Sequence, residues 1–334
     1  MTITKGTKRR ANPGLGDQDL REIYRYMLLA RTLSERAWLL TRQGRVFFTM
    51  PCDGQEAGDV GSAFALDRTK DFIVPYARDL AAMLVKGMTA RDVMLNLFAK
   101  AADPNSGGRQ MPMHWGHKQL GIISMGSPVG VSIPKAAGVA LASKIRGDGA
   151  VTIVYFGEGA ASEGDVHEGM AFAGVHQLPV VFFCNNNGWA TSVPTRLQAA
   201  GSSIAVRAQA YGFPGVMVDG CDPLEVYKAT KSTVKRARSG GGPTLIEAKT
   251  LRLMPHTSSD DQARYRSQEE LDAERLLDPL PRFRYFLLSS GVLMTDQEAE
   301  LREAIGNEVE DAIEFADAAP APDPKTALEG IYAP

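Results

Sequence analysis

The chain is poor in cysteine, in long apolar runs and in excess charge, and each shortage removes a class of protein. Its three cysteines, Cys52, Cys184 and Cys221, lie far apart with no C-x-x-C pair. That excludes a disulfide framework or a structural zinc site and fits a reducing cytoplasm. No apolar stretch reaches the roughly 18–20 residues of a membrane-spanning helix. The opening MTITKGTKRRANPGLG has basic residues with no apolar core behind them, unlike a signal peptide. Its basic cluster at residues 5–10 also lacks the amphipathic stretch of an organellar presequence and reads as a solvated arm. Lys and Arg (37) against Asp and Glu (39) leave a net charge of −2, so no global positive field exists for a nucleic-acid backbone or an anionic membrane. No internal repeat is found. What is there, 44% hydrophobic and 23% charged residues, is the composition of a globular chain.

Asp19 is placed to cap a helix reaching about Arg42, with Leu20, Ile23, Met27, Leu33, Ala37 and Leu40 near helical spacing and Gly44 as its stop. Further helices are expected after Gly54, near Arg78 and after the Thr89 cap. Residues 102–127 break into Gly, Pro, Asn, Met and His without a period, a loop long enough to suggest binding rather than connection. A helix of small residues follows over 134–144. The runs VTIVYF (151–156) and PVVFFC (179–184) are continuously apolar, the pattern of strands buried on both faces. With a helix over 162–177 between them they make a right-handed βαβ unit. GVMVD (215–219) and TLIEAK (244–249) read as two more strands around a helix over 223–239. The fold class is therefore α/β, a mostly parallel central sheet with helices on both faces, over residues 17–266. Residues 1–16 are expected to be a flexible arm and 267–334 a helical C-terminal extension, whose Ala/Pro/Asp segment 317–325 reads as a loosely ordered strap.

Ligands of open parallel sheets sit beyond the carboxyl ends of the strands, and two such ends are chemically loaded. The first strand runs into Gly157-Glu158-Gly159-Ala160-Ala161-Ser162, the second into Asn185-Asn186-Asn187-Gly188-Trp189. A dinucleotide site needs G-x-G-x-x-G/A and an acid closing the next strand. Ser162 holds the third glycine position and the next strand closes in asparagines, so both conditions fail. Glu158 would also point a negative charge at a pyrophosphate. A divalent cation removes that conflict, because Mg²⁺ accepts a carboxylate, an amide oxygen, a backbone carbonyl and phosphate oxygens in one octahedron. Glu158 and Asn187 are thus candidate metal ligands, against the plainer alternative of a glycine turn and a polar loop. His114 with His117, and His167-Glu168 with His176, could suggest zinc. No H-E-x-x-H exists, position 171 being Ala, and packing or loop roles are preferred for both pairs. His256, in Met254-Pro255-His256-Thr257-Ser258-Ser259-Asp260-Asp261, fits either a turn capping the helix near Gln268 or a functional group.

Glu158 within GEG, followed 29 residues later by the last Asn of NNNG, resembles the thiamin-diphosphate motif. YFGEGAASEGD, PVVFFCNNNGWA and GGRQMPMHWG are similar to the α subunit of the branched-chain 2-oxoacid dehydrogenase decarboxylase, over roughly Asp17 to the C-terminus. The resemblance implies a thiamin-diphosphate-binding fold with Glu158, Asn187 and the carbonyl of Trp189 on Mg²⁺. Trp189 stands where the family has Tyr. It implies that Gly157, Gly159, Ala160 and Arg78 hold the diphosphate, that Ser127 and Asn185 touch the cofactor, and that Val129 supports its bent shape. His256 is implied to be catalytic, near the diphosphate and the reacting acyl group. Ala77 replaces a usual Tyr and Asn185 a charged residue, each weakening one contact, with Tyr76 able to reach in instead.

The implied function is oxidative decarboxylation of branched-chain 2-oxoacids, with acyl transfer to a lipoyl-bearing acyltransferase. In the family this is done by an α₂β₂ heterotetramer whose β subunit supplies the activating carboxylate. GEG in place of GDG, and GRQMP, favour branched substrates over a pyruvate or acetoin dehydrogenase α subunit. Ala77 and Asn185 leave open a catalytically idle assembly subunit. The matching mitochondrial enzymes carry a regulatory phosphoserine where Thr257 stands. The polar loop 255–267 has little apolar surface to offset about 1–2 kcal/mol per residue of backbone entropy, so it is expected to order when the anionic cofactor binds.

Overall fold

The computed structural model describes residues 14–201 and 203–329; residues 1–13 of the expected arm lie outside them. The chain runs through α1 (Asp17–Arg42), α2 (Glu56–Phe64), β1 (Phe72–Val74), α3 (Leu80–Lys86), α4 (Ala90–Leu97), α5 (Ser132–Arg146), β2 (Thr152–Gly157) and α6 (Gly164–Val175). It continues through β3 (Val180–Asn186), the hairpin β4 (Trp189–Ala190) and β5 (Val193–Pro194), then β6 (Gly215–Asp219), α7 (Pro223–Arg238) and β7 (Thr244–Lys249). The helices α8 (Gln268–Arg275), α9 (Pro279–Ser289) and α10 (Thr295–Ala318) close it.

The central sheet has the order β1-β2-β3-β7-β6 with every pairing parallel. β2 and the first five residues of β3 bury alternate residues on opposite faces, which is why they read as unbroken apolar runs. Ile153, Tyr155, Val181, Phe183 and Ile246 join the core shared with α1, α2, α3 and α7. Val154, Phe156, Val180, Phe182 and Leu245 join a second core with Ile133, Ala136 and Ala140 of α5 and Val166 and Met170 of α6. Each fully buried Phe contributes roughly 1.5–3 kcal/mol. Helix α2 packs so closely on α7 that a Cβ on Gly61 would stand 2.5 Å from the carbonyl oxygen of Pro223.

Several expectations change in detail. Gly16, not Asp19, caps α1; Asp19 lies in the first turn, and its carboxylate accepts the Gly16 N–H at 2.8 Å. Strand β1 escapes the pattern because three residues carry no readable period; its register with β2 defines it, Phe72 opposite Thr152. The helix expected from 162 begins as a 3₁₀ turn over Ala160–Ser162 before α6. The C-terminal helices share the main core, with Ile305, Val309, Ala312 and Ile313 of α10 buried in it. Arg31 of α1 ties that region down by pairing with Glu56 at 2.5 Å and Asp278 at 2.9 Å. The strap is fastened: the Pro320 carbonyl accepts the Ala101 N–H at 3.1 Å, and Arg109 donates to the Thr326 carbonyl at 2.9 Å. Among the described residues no helix is long and apolar enough to cross a membrane.

Candidate active site

A cavity of about 250 Å³ opens beyond the carboxyl ends of β2 and β3. Strand β2 leads Gly157 and Glu158 into it, and the turn that follows adds Gly159 and Ala160. Parallel pairing sets Gly157 beside Asn185, which brings the end of β3, Asn185 and then Asn187 and Trp189, to the same mouth. Arg78 enters just before α3, Val129 ahead of α5 and His256 after β7. Sequence separation is erased by the order of the strands. Ser127 is the one expected site residue outside the lining; its hydroxyl is held 2.6 Å from His114 Nε2.

Glu158 is 2% exposed, and no basic side chain lies within ion-pair distance among the described residues. Burial holds its carboxyl above the usual range. The N–H groups of Glu158 itself and of Asn187, with Arg252 and Arg78 further off, offset part of that. The first helical bond after it runs from the Ala161 N–H to the Glu158 carbonyl at 3.2 Å, so the N–H groups of Gly159 and Ala160 precede the bonded turn. Glycine is required at 159, where a Cβ would meet the Ala190 Cβ at 2.6 Å.

The three asparagines do different work. Asn185 donates to Asp59 at 2.9 Å and Asp79 at 3.3 Å, and Asn186 donates to Glu247 at 2.7 Å. Asn187 accepts the Trp189 N–H on its Oδ1 at 3.1 Å, which turns the chain at the cavity rim. Trp189 faces Pro194 across the small hairpin, and because proline has no N–H the Trp189 carbonyl takes no bond from that partner.

Arg78 is 4% exposed and meets no carboxylate within ion-pair distance among the described residues. Its guanidinium donates to the Pro51 carbonyl at 2.8 Å, to the His256 carbonyl at 3.2 Å and to His256 Nδ1 at 3.1 Å. Arginine only donates, so Nδ1 accepts and the neutral ring carries its proton on Nε2. Burial, then Arg78 and Arg252, push the His256 pKa down to about 3. The unliganded imidazole is therefore a neutral hydrogen-bond donor, and an adjacent anion would raise its basicity.

The loop around His256 is fastened by the chain itself, contrary to the expectation that it awaits a cofactor. Asp260 accepts the His256 N–H at 2.7 Å and the Tyr265 hydroxyl at 2.5 Å. Arg252, 1% exposed, donates to Tyr265 at 2.8 Å and to the Thr191 carbonyl at 2.8 Å. Ser258 adds an N–H to the Thr49 carbonyl at 2.9 Å. Arg252 and Tyr265 carried no sequence signal, because their partners lie on other segments. Asp59 carried one: an acid flanked by Gly and Val inside the small-residue helix EAGDVGSAF. One histidine of each pair considered for zinc is engaged elsewhere, His114 with Ser127 and His167 with the Tyr211 hydroxyl. No group of three or more His, Cys, Asp or Glu able to hold a metal occurs among the described residues.

The model of the dehydrogenase E1 component family matches residues 24–325. The chain belongs to that family. The E1 family is thiamin-diphosphate dependent, with an α/β fold. This E1 chain is 48% identical over 327 residues to the 2-oxoisovalerate dehydrogenase subunit alpha of Bacillus subtilis, covering 98% of this chain and 99% of that relative. It is 38% identical over 322 residues to the mitochondrial subunit of the same name from Homo sapiens, covering 96% of this chain and 72% of the relative. The pyruvate dehydrogenase E1 component subunit alpha of Bacillus subtilis is 40% identical over 311 residues, covering 93% of this chain and 81% of the relative. Within one organism, then, this E1 chain is more similar to the 2-oxoisovalerate subunit than to the pyruvate subunit.

Proposed function

We propose that this E1 chain is the α subunit of a branched-chain 2-oxoacid dehydrogenase decarboxylase, acting with a β subunit in a cytoplasmic α₂β₂ assembly. It oxidatively decarboxylates branched 2-oxoacids and passes the acyl group to a lipoyl-bearing acyltransferase. The observation that carries the reading is Glu158, a buried carboxylate without a basic partner among the described residues, lining one cavity with Asn187, Trp189, Gly159 and Ala160. That donor set suits Mg²⁺ and a diphosphate together, so the residues present fit thiamin diphosphate. When bound, the cofactor supplies the electron sink for decarboxylation.

The chain's own residues bind and orient. Glu158, Asn187 and Trp189 would hold the metal, and Arg78 offers a permanent charge to the diphosphate. Val129 forms an apolar wall of the cavity, and Ser127 would exchange its His114 bond for a cofactor contact. His256 presents a donor Nε2–H, and it gains a proton more readily once an anion offsets Arg78. Reconstitution tests the reading. The chain alone should bind the cofactor weakly and turn over negligibly, and adding a β subunit should give decarboxylation with higher kcat/KM for branched 2-oxoacids than for pyruvate. Full turnover by the single chain, or a preference for pyruvate, would contradict it. Failure of the pair to bind thiamin diphosphate would favour an idle assembly subunit.

A further inference from the structure

The cavity is acid-rich for a pocket meant to receive an anion. Among its lining residues Arg78 is the sole permanent cation, against Asp79, Glu158 and Glu163. Mg²⁺ answers for Glu158 but not for Asp79. Asp79 caps the start of α3, and one hydrogen bond deeper lies Asp59 of α2, fully buried. A single amide joins the two acids, Asn185 Nδ2 donating to Asp59 Oδ1 at 2.9 Å and to Asp79 Oδ1 at 3.3 Å. Asp79 also accepts the Tyr76 N–H at 2.6 Å.

Three acceptor oxygens of this cluster have no donor: Asp59 Oδ2, Asn185 Oδ1 and Gln55 Oε1. All three residues are at most 4% exposed, and Gln55 sits one helical turn ahead of Asp59. Buried acceptors without donors are costly, and a proton on Asp59 Oδ2 turns one of the three into a donor. The charged and titratable groups facing the pair are Glu56 on α2, Tyr76 and Arg78 beside Asp79, Tyr155 on β2 and Cys52 ahead of α2. Arg78 alone among them is positive. Burial raises both carboxyls, and Asp79 raises Asp59 further.

We propose that Asp59, coupled to Asp79 through Asn185, becomes more fully protonated on Oδ2 when a diphosphate enters, so that the pair sets the charge of the pocket for an anionic cofactor. This rests on the thiamin-diphosphate reading above. The two acids are positioning residues that touch the cofactor only through the field they set. Because the loaded pocket favours the protonated pair, cofactor affinity falls as pH rises through its titration, by up to about tenfold per pH unit for one linked proton.

The test is calorimetric titration of thiamin diphosphate into the reconstituted α/β enzyme with Mg²⁺, in two buffers of different ionisation enthalpy, below and above neutrality. Wild type should take up more protons than Asp59→Asn, and Asp59→Asn should flatten the pH dependence of Kd. The comparison cancels protons exchanged by the cofactor's own phosphate. Equal uptake in both proteins overturns the proposal. So does an affinity that follows added K⁺ and ignores pH, which would place a cation among the orphaned acceptors. Should Asp59→Asn not fold, the infrared difference spectrum of wild type on cofactor binding decides: a gained protonated-carboxyl stretch supports the pair and its absence overturns it. If wild type binds no cofactor at all, the underlying functional reading falls and the pair's role with it. Binding without differential uptake removes the pair alone.

Discussion

Replacing Glu158 by Gln should have opposite effects on the free and the loaded protein. In the free chain the carboxyl is 2% exposed and raised chiefly by burial. An acid whose folded pKa is raised contributes stability that is complete below the unfolded value and lost as pH rises through the folded value. At neutral pH the free wild type therefore carries the cost of a buried charge. Glu158→Gln should stabilise it by on the order of 1 kcal/mol, and should flatten the stability loss toward alkaline pH. With Mg²⁺ and thiamin diphosphate the order reverses. Losing even a supporting contact of a metal site costs about 10–100-fold, and Glu158 is the one carboxylate of the proposed ligand set. Affinity should fall by roughly 100-fold, about 2.7 kcal/mol. At a free cofactor concentration about 100 times the wild-type Kd, wild type gains about 2.7 kcal/mol and the variant about 0.4 kcal/mol. The variant is then the more stable protein when free and the less stable by about 1.3 kcal/mol when loaded. Chemical denaturation of the reconstituted enzyme with and without cofactor reads both numbers. A variant with unchanged cofactor affinity in the presence of Mg²⁺, or one destabilised when free, would refute the reasoning.

Tyr265→Phe removes the hydroxyl between Arg252 and Asp260, leaving the buried Arg252 guanidinium one acceptor short at about 1–3 kcal/mol; limited proteolysis should then cut within 255–267 faster than in wild type. Thr257→Glu places a negative charge where the Thr257 carbonyl accepts the Asp260 N–H at 3.0 Å, and like charges repel the loop from an anionic cofactor. Activity should drop on the order of tenfold further than in Thr257→Ala, and equal behaviour of the two would dispose of the electrostatic account. His256 has a folded pKa of about 3 against 6.5 for the free side chain, so its contribution to stability is present above the higher value and lost as pH falls toward the lower. His256→Gln should show a shallower acid loss in that window, measured by urea unfolding at stepped pH.

Local pattern alone determined much of this protein. Continuous apolar runs located β2 and β3, because a strand buried on both faces is apolar along most of its length. The chemistry of one acid between glycines and an asparagine beyond the next strand was legible because strand ends in a parallel sheet meet at one edge. Tertiary structure decided the rest. β1 is too short to carry a period and exists through its pairing. The loop at His256 and the strap near Pro320 looked loose because their composition is polar, yet hydrogen bonds to Thr49, Arg252 and Ala101 fasten them. Arg78 and His256 are 178 residues apart in the chain, and the tautomer that makes the histidine a donor follows from that contact alone. Sequence pattern records what a segment buries; which distant segment supplies the missing donor or acceptor is settled only when the layers close.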